Sequence, residues 1–227
     1  MRLLQQLLCV GALLMPFATF AADPAGAEPP KNDVHYRTLA QAQNTDAAGK
    51  IEVIEFFAYY CPHCATLEPR LAEWVKKQGD KIVFKRVHVG RQSGPGPQQK
   101  LFYTLDSLGL LPQYHDKVFD AIHQHHQHLD SSEQVLAWVT QAGIDPVKYS
   151  AASNSFGVQA KIRRAAGLME SYKIEFWPQI AIDGRYVTSP SQVGTASPAL
   201  TTEPAQQDGA LKVMDFLLAK AQAEKKR

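Results

Sequence analysis

Lys50 to Ala58, KIEVIEFFA, is almost continuously apolar and leads straight into Cys61-Pro62-His63-Cys64. An apolar run of that length reads as a strand covered on both faces, in the middle of a sheet. From Cys61 to Gln78 the residues Leu67, Leu71, Trp74 and Val75 recur at helical spacing, and Gly79 follows as a stop signal. Ile82 to Val89, IVFKRVHV, then reads as a second strand. Strand, helix and strand in that order make a βαβ unit with two parallel strands. The chain must therefore build an α/β sheet around this unit, with a pair of cysteines at its first strand–helix junction.

Beyond Gly94 the pattern changes. Helices are expected over 98–108, 113–126, 133–142, 147–153 and 156–172. Asp130 and Glu133 have capping-box spacing, and Asp145-Pro146 suits a helix start. Asp183-Gly184 between Gln179–Ile182 and Arg185–Val187 is a hairpin signal. A Ser-, Thr- and Pro-rich loop is expected over 188–207 and a closing amphipathic helix over 209–224. The expected organisation is a discontinuous α/β domain, 33–92 and 172–225, interrupted by a helical insertion, 93–171.

Charge narrows the functional classes. The net formal charge of +2 over 227 residues, with no basic stripe, gives nucleic-acid binding no electrostatic support. The N-terminus carries Arg2, an apolar run Leu7–Phe20 and small residues at Ala21 and Ala22. It reads as a signal peptide over 1–22 and sends the chain to the periplasm as a soluble protein. The run is shorter than the ~20 residues a membrane span needs. Cys9 leaves with that segment, so Cys61 and Cys64 remain. An exported chain meets an oxidising compartment, but a disulfide stabilises mainly by closing a long loop. This pair closes almost none, so its purpose is chemical.

The chemistry follows from position. Pro62 lacks an N–H and suits the first helical turn. Cys61 then sits at the helix N-terminus, where unpaired N–H groups and the helix dipole favour a thiolate. His63 adds a donor or a positive charge, and Cys64 lies one turn on and deeper. A C-x-x-C beside a βαβ pattern is the thioredoxin-like redox signature.

At this point VIEFFAYYCPHC resembles the DsbA family of exported disulfide oxidases, and FKRVHV, QAGI, NSF and WPQIAIDGRY extend the resemblance over most of the chain. What it implies is a thioredoxin-like fold with an inserted helical domain, acting as a monomeric thiol:disulfide oxidoreductase. The Cys61–Cys64 disulfide would be donated to reduced, folding secreted proteins. Cys61 would be the exposed nucleophile and Cys64 its buried partner. A membrane quinone-linked oxidase of the DsbB type would reoxidise the pair, and no cofactor beyond the disulfide is expected. Pro178 would be cis and face the disulfide, with Trp177 and Tyr60 contacting clients. Trp177 is bulkier than the residues usual before this proline. Glu55 is either a water-facing strand acid or a buried acid relaying protons to Cys64. Glu68 reads better as a solvated helix acid than as a site acid. Arg86 falls where the family has a lysine that pairs with the buried acid, and the two are not interchangeable. Pro69 is expected to kink the first helix.

Two other functions compete. One is a reductase or isomerase of the same fold, which a redox equilibrium against glutathione separates from an oxidase. The other is a soft-metal carrier holding Cu or Zn on the two thiols, which a metal titration separates. His123, His125, His126 and His128 read as a solvated helix end, because no acid or cysteine nearby completes a tetrahedral set.

Overall fold

The computed structural model describes residues 28–90, 94 and 96–225; the expected signal peptide, with Cys9, lies outside the described residues. Strands β1 (Arg37–Thr38), β2 (Ile51–Phe57), β3 (Ile82–His88), β4 (Gln179–Ile182) and β5 (Tyr186–Thr188) form one mixed sheet in the order β1-β5-β4-β2-β3. β2 and β3 run parallel, joined by helix α1 (Pro62–Gln78). β4 pairs antiparallel with β2 and with β5. β2 lies inside the sheet and all seven of its residues are buried, which is why its sequence hardly alternates.

Five helices stand between β3 and β4: α2 (Pro97–Ser107), α3 (Leu111–His123), α4 (Ser132–Gln141), α5 (Pro146–Ser153) and α6 (Phe156–Ser171). After β5 come α7 (Pro190–Ala196) and α8 (Glu203–Lys225). Two cores result. In one, Ile51 and Val53 of β2 pack with Leu67, Leu71 and Trp74 of α1 and with Val213, Met214 and Leu217 of α8. In the other, Ile54 and Phe56 join Phe102, Leu105, Val118 and Tyr172 from the helical insertion and its end. Each fully buried side chain of this size contributes about 1.5–3 kcal/mol. Together the two cores fix β2, and with it the junction that carries Cys61.

Several expectations need correction. The segment 188–207 is not all loop. Ser189 accepts from the Gln192 N–H at 3.0 Å and Pro190 opens α7, while Thr202 accepts from the Ala205 N–H at 3.4 Å and α8 starts six residues early. The capping box belongs to Ser131 and Gln134, not to Asp130 and Glu133. α3 ends at His123, because the chain bends away and His126 and Leu129 take left-handed φ of 54° and 51°. His125, His126 and His128 therefore share no helix with His123, whose Nε2 instead meets the Tyr59 carbonyl at 2.7 Å. Pro69 does lie inside α1, as expected, and the helix runs on to Gln78.

Candidate active site

Cys61 is the N-cap of α1, with extended φ and ψ of −85° and 115°, and Pro62 follows in the first turn. Both cysteines are free thiols. The Cys61 sulfur accepts from the Cys64 backbone N–H at 3.3 Å, as an N-cap side chain does. Its pKa is lowered to about 7. The largest cause is the hydrogen bond from the Cys64 side chain, with the backbone N–H groups of Cys64 and His63 and the charge of His63 adding to it against the cost of burial. Cys64 is fully buried, and desolvation first, then its bond to Cys61, pushes its pKa far up. The two sulfurs thus divide into a good leaving group and a sulfur that holds its proton. Cys61 is not open, however: it is 5% exposed. The Trp177 carbonyl lies over it and accepts from the thiol at 3.7 Å.

That carbonyl precedes Pro178, and the Trp177–Pro178 bond is cis. Tyr60 meets the Trp177 ring edge to face at 6.1 Å between centroids. Phe176, beside them in sequence, is partly exposed. The mouth of the site is therefore aromatic around one backbone carbonyl.

Beneath the cysteines lies a buried ionic group. Glu55 of β2 sits opposite Arg86 of β3, and Arg86 Nε donates to Glu55 Oε2 at 3.2 Å. The same guanidinium donates from Nη2 to Glu68 Oε1 of α1. His115 of α3 places Nε2 3.4 Å from Glu68 Oε2 and shares a 2.9 Å hydrogen bond with the Tyr59 hydroxyl through Nδ1. Glu55 is wholly buried, which excludes the water-facing alternative, and Glu68 is buried too, against the solvated position expected for it. Partners from β3 and α3 make that burial possible. Burial first, then the charge of Glu68, raises the Glu55 pKa to about 8 in spite of Arg86. Glu55 Oε1 has no hydrogen-bond partner among the described residues.

On the solvent side, His63 Nδ1 lies 2.9 Å from Glu203 Oε1 in the first turn of α8. Glu203 escaped sequence reasoning, because it fell in the segment taken for loop; Thr202-Glu203-Pro204 is the helix-start signal that marks it. Cys61, Pro62, His63, Tyr60, Trp177 and Pro178 gather around the mouth, with Cys64 and Glu55 buried below. Among the described residues no three His, Cys, Asp or Glu side chains come together to hold a metal ion.

A thioredoxin family model matches residues 44–201. The thiol:disulfide interchange protein DsbA of Bordetella parapertussis is 39% identical over 186 residues, 82% of this chain and 84% of that protein. The protein of the same name from Burkholderia cepacia is 35% identical over 208 residues, 90% and 93% of the two chains. The crystal structure of Pseudomonas aeruginosa DsbA superposes with a TM-score of 0.73 at 28% identity, over 85% of this chain and 95% of that one.

Proposed function

From the premise that this chain belongs to the DsbA family of thioredoxin-like thiol:disulfide interchange proteins, we propose that it works in the periplasm, with Cys61 as the attacked sulfur and a quinone-linked membrane oxidase of the DsbB type as its reoxidant. It is a thiol:disulfide oxidoreductase with an oxidase's role, and the isomerase and metal-carrier alternatives are not favoured. Its clients are reduced, folding secreted proteins.

In the oxidised protein a client thiolate attacks Cys61. The Cys61–Cys64 bond breaks and its electron pair goes to Cys64. That sulfur needs a proton, and the protonated Glu55 beneath it is the donor. Glu55 does not itself line the cavity of about 770 Å³ beside it, but Glu68, Arg86 and His115 do, and Glu55 regains its proton from water by way of that group. A second client thiolate then attacks the client's own sulfur in the mixed disulfide, and Cys61 leaves as a thiolate. Two client thiols have become a disulfide, two electrons rest on the cysteine pair, and one proton stays on Cys64 while the other goes to solvent. A low-pKa leaving thiol departs faster, so the acidity of Cys61 speeds client release. The Trp177 carbonyl orients an extended client as a neighbouring strand would, through main-chain hydrogen bonds that make little demand on client sequence. Tyr60, Trp177 and Phe176 supply aromatic contacts around it.

The observation that carries this reading is the split between Cys61, acidic at a helix N-terminus, and Cys64, buried and protonated. A stabilised Cys61 thiolate stabilises only the reduced form and so makes the disulfide oxidising; each pKa unit is worth about 1.4 kcal/mol, or about 30 mV for two electrons. The test is equilibration with glutathione. The pair is expected to be reduced in buffers where structural disulfides, with potentials below about −300 mV, persist. A Cys61–Cys64 disulfide that resists those buffers would rule the oxidase reading out.

A further inference from the structure

Glu203 lies far from the cysteine motif in sequence, yet its Oε1 is bound from three sides. Thr66 Oγ1 of α1 donates at 2.7 Å, His63 Nδ1 stands at 2.9 Å and Gln207 Nε2 of α8 donates at 3.2 Å. Gln207 also donates to Thr66 Oγ1 at 2.8 Å. Two neutral donors, one from each helix, therefore hold the carboxylate in place whether or not His63 is charged. The seam between the helices is fastened again one turn on, where Arg70 donates to Asp208 at 2.6 Å.

We propose that Glu203 is a positioning residue of the redox site, which acts through His63: it fixes the ring by Nδ1 and favours its cationic form beside Cys61. This rests on Cys61 being the reactive sulfur, as proposed above. Because the carboxylate takes Nδ1–H, Nε2 is the nitrogen that loses a proton. The charged groups facing His63 are Glu203 from α8 and Cys61 from its own helix, and both raise its pKa, Glu203 the more. Arg70 and Asp208 are engaged with each other. The His63 side chain is 69% exposed, so the pair adds little to stability and is screened by salt. Its effect falls on the charge next to the sulfur instead. A cationic His63 favours the thiolate and hence the reduced form. As His63 loses its proton, the disulfide becomes less oxidising. Glu203 moves that loss to higher pH.

The test compares the parent with Glu203→Gln, which keeps the side chain's shape and removes its charge. The pH titration of the His63 ring is followed by NMR in the purified protein, and the glutathione equilibrium is measured from pH 5.5 to 8. In the variant His63 is expected to titrate close to its ordinary value of about 6.5. Its oxidising power, which in the parent rises as Cys61 ionises, should rise several-fold less between pH 5.5 and 7.5. In a His63→Ser background Glu203→Gln should add no such pH dependence, which separates a role through His63 from a general loosening of α8. Thr66→Val, which frees the carboxylate but leaves its charge, should give a smaller shift in the same direction. The proposal is overturned if His63 titrates alike with and without the Glu203 carboxylate, or if the extra pH dependence survives in the His63→Ser background. A parent that fails to oxidise reduced proteins at all would instead overturn the reading of the site.

Discussion

Arg86 is one cation between two carboxylates, Glu55 and Glu68. Two acids that close cannot both ionise cheaply, and the deeper one keeps its proton. Glu55, with its pKa near 8, is that one. An acid whose pKa is raised on folding contributes its stability below the unfolded value, about 4.3, and loses it as pH rises toward 8. Glu55→Gln should therefore leave stability unchanged near pH 4 and raise it by on the order of 2 kcal/mol at pH 7. Denaturant melts at the two pH values decide this; a variant destabilised at pH 7 would contradict a protonated, buried Glu55. The same variant should slow reduction of the disulfide by client thiols in stopped-flow measurements, because glutamine has no proton to give Cys64. Equal rates for parent and variant across pH 5 to 8 would remove Glu55 from the chemistry. The cysteines differ in the same residue-level way. In the reduced protein a small alkylating reagent should modify Cys61 with a midpoint near pH 7 and leave Cys64 almost untouched, as read by peptide mass. The Trp177 carbonyl over Cys61 should make bulkier reagents much slower.

Among the elements, the β4–β5 hairpin shows what local sequence dictates. Asp183 and Gly184 take φ of 53° and 66°, the pair of left-handed residues a tight hairpin turn requires. A Cβ on Gly184 would stand 2.2 Å from the Gln43 carbonyl oxygen, besides the strain of the left-handed conformation itself. Gly184→Ala is expected to cost about 2 kcal/mol or more and to lower Tm by about 4–8 °C. An unchanged Tm would mean that the segment at Gln43 yields freely. Turns, caps and the βαβ unit were legible because their causes lie within a few residues: Cys61-Pro62 opening α1, Asp145-Pro146 opening α5, Asp183-Gly184 turning the hairpin. What stayed hidden depends on distant partners. Nothing around Glu68 announces that Arg86 from another strand and His115 from another helix will bury it. Nor does the Ser- and Thr-rich stretch after β5 look helical, since α7 is short and takes its packing from α8 through Val193. Glu203 was hidden differently: Thr202-Glu203-Pro204 marks the helix start locally, but the meeting of its carboxylate with His63 and Thr66 is set by how α8 packs on α1.

At the scale of the whole molecule, redox state and folding are two sides of one cycle. If the folded disulfide is more oxidising than the same disulfide in the unfolded chain, the folded reduced protein must be more stable than the folded oxidised one. The oxidised form has little to set against this, because its disulfide closes a very short loop and removes little chain entropy. The pH dependence follows from the two thiols. Cys61 has its pKa lowered on folding, so its contribution is complete above the unfolded thiol value of about 8.5 and is lost as pH falls through about 7. Cys64 has its pKa raised, so it costs stability as pH climbs above about 8.5, where the unfolded chain ionises and the folded one does not. Most of what raises the Glu55 pKa, its burial and the charge of Glu68, does not depend on redox state, and only the smaller contribution from Cys61 enters the comparison. The excess stability of the reduced protein should therefore peak near pH 8, shrink steadily toward pH 5 and decline again above pH 9. Paired thermal melts of the reduced and oxidised protein at a series of pH values would trace that curve. His63→Ser should lower the whole of it, since the serine keeps the helix start but removes the cation beside the sulfur. An oxidised form that melts higher at pH 8 would leave the acidity of Cys61 without its thermodynamic consequence, and with it the oxidising direction assigned to the pair.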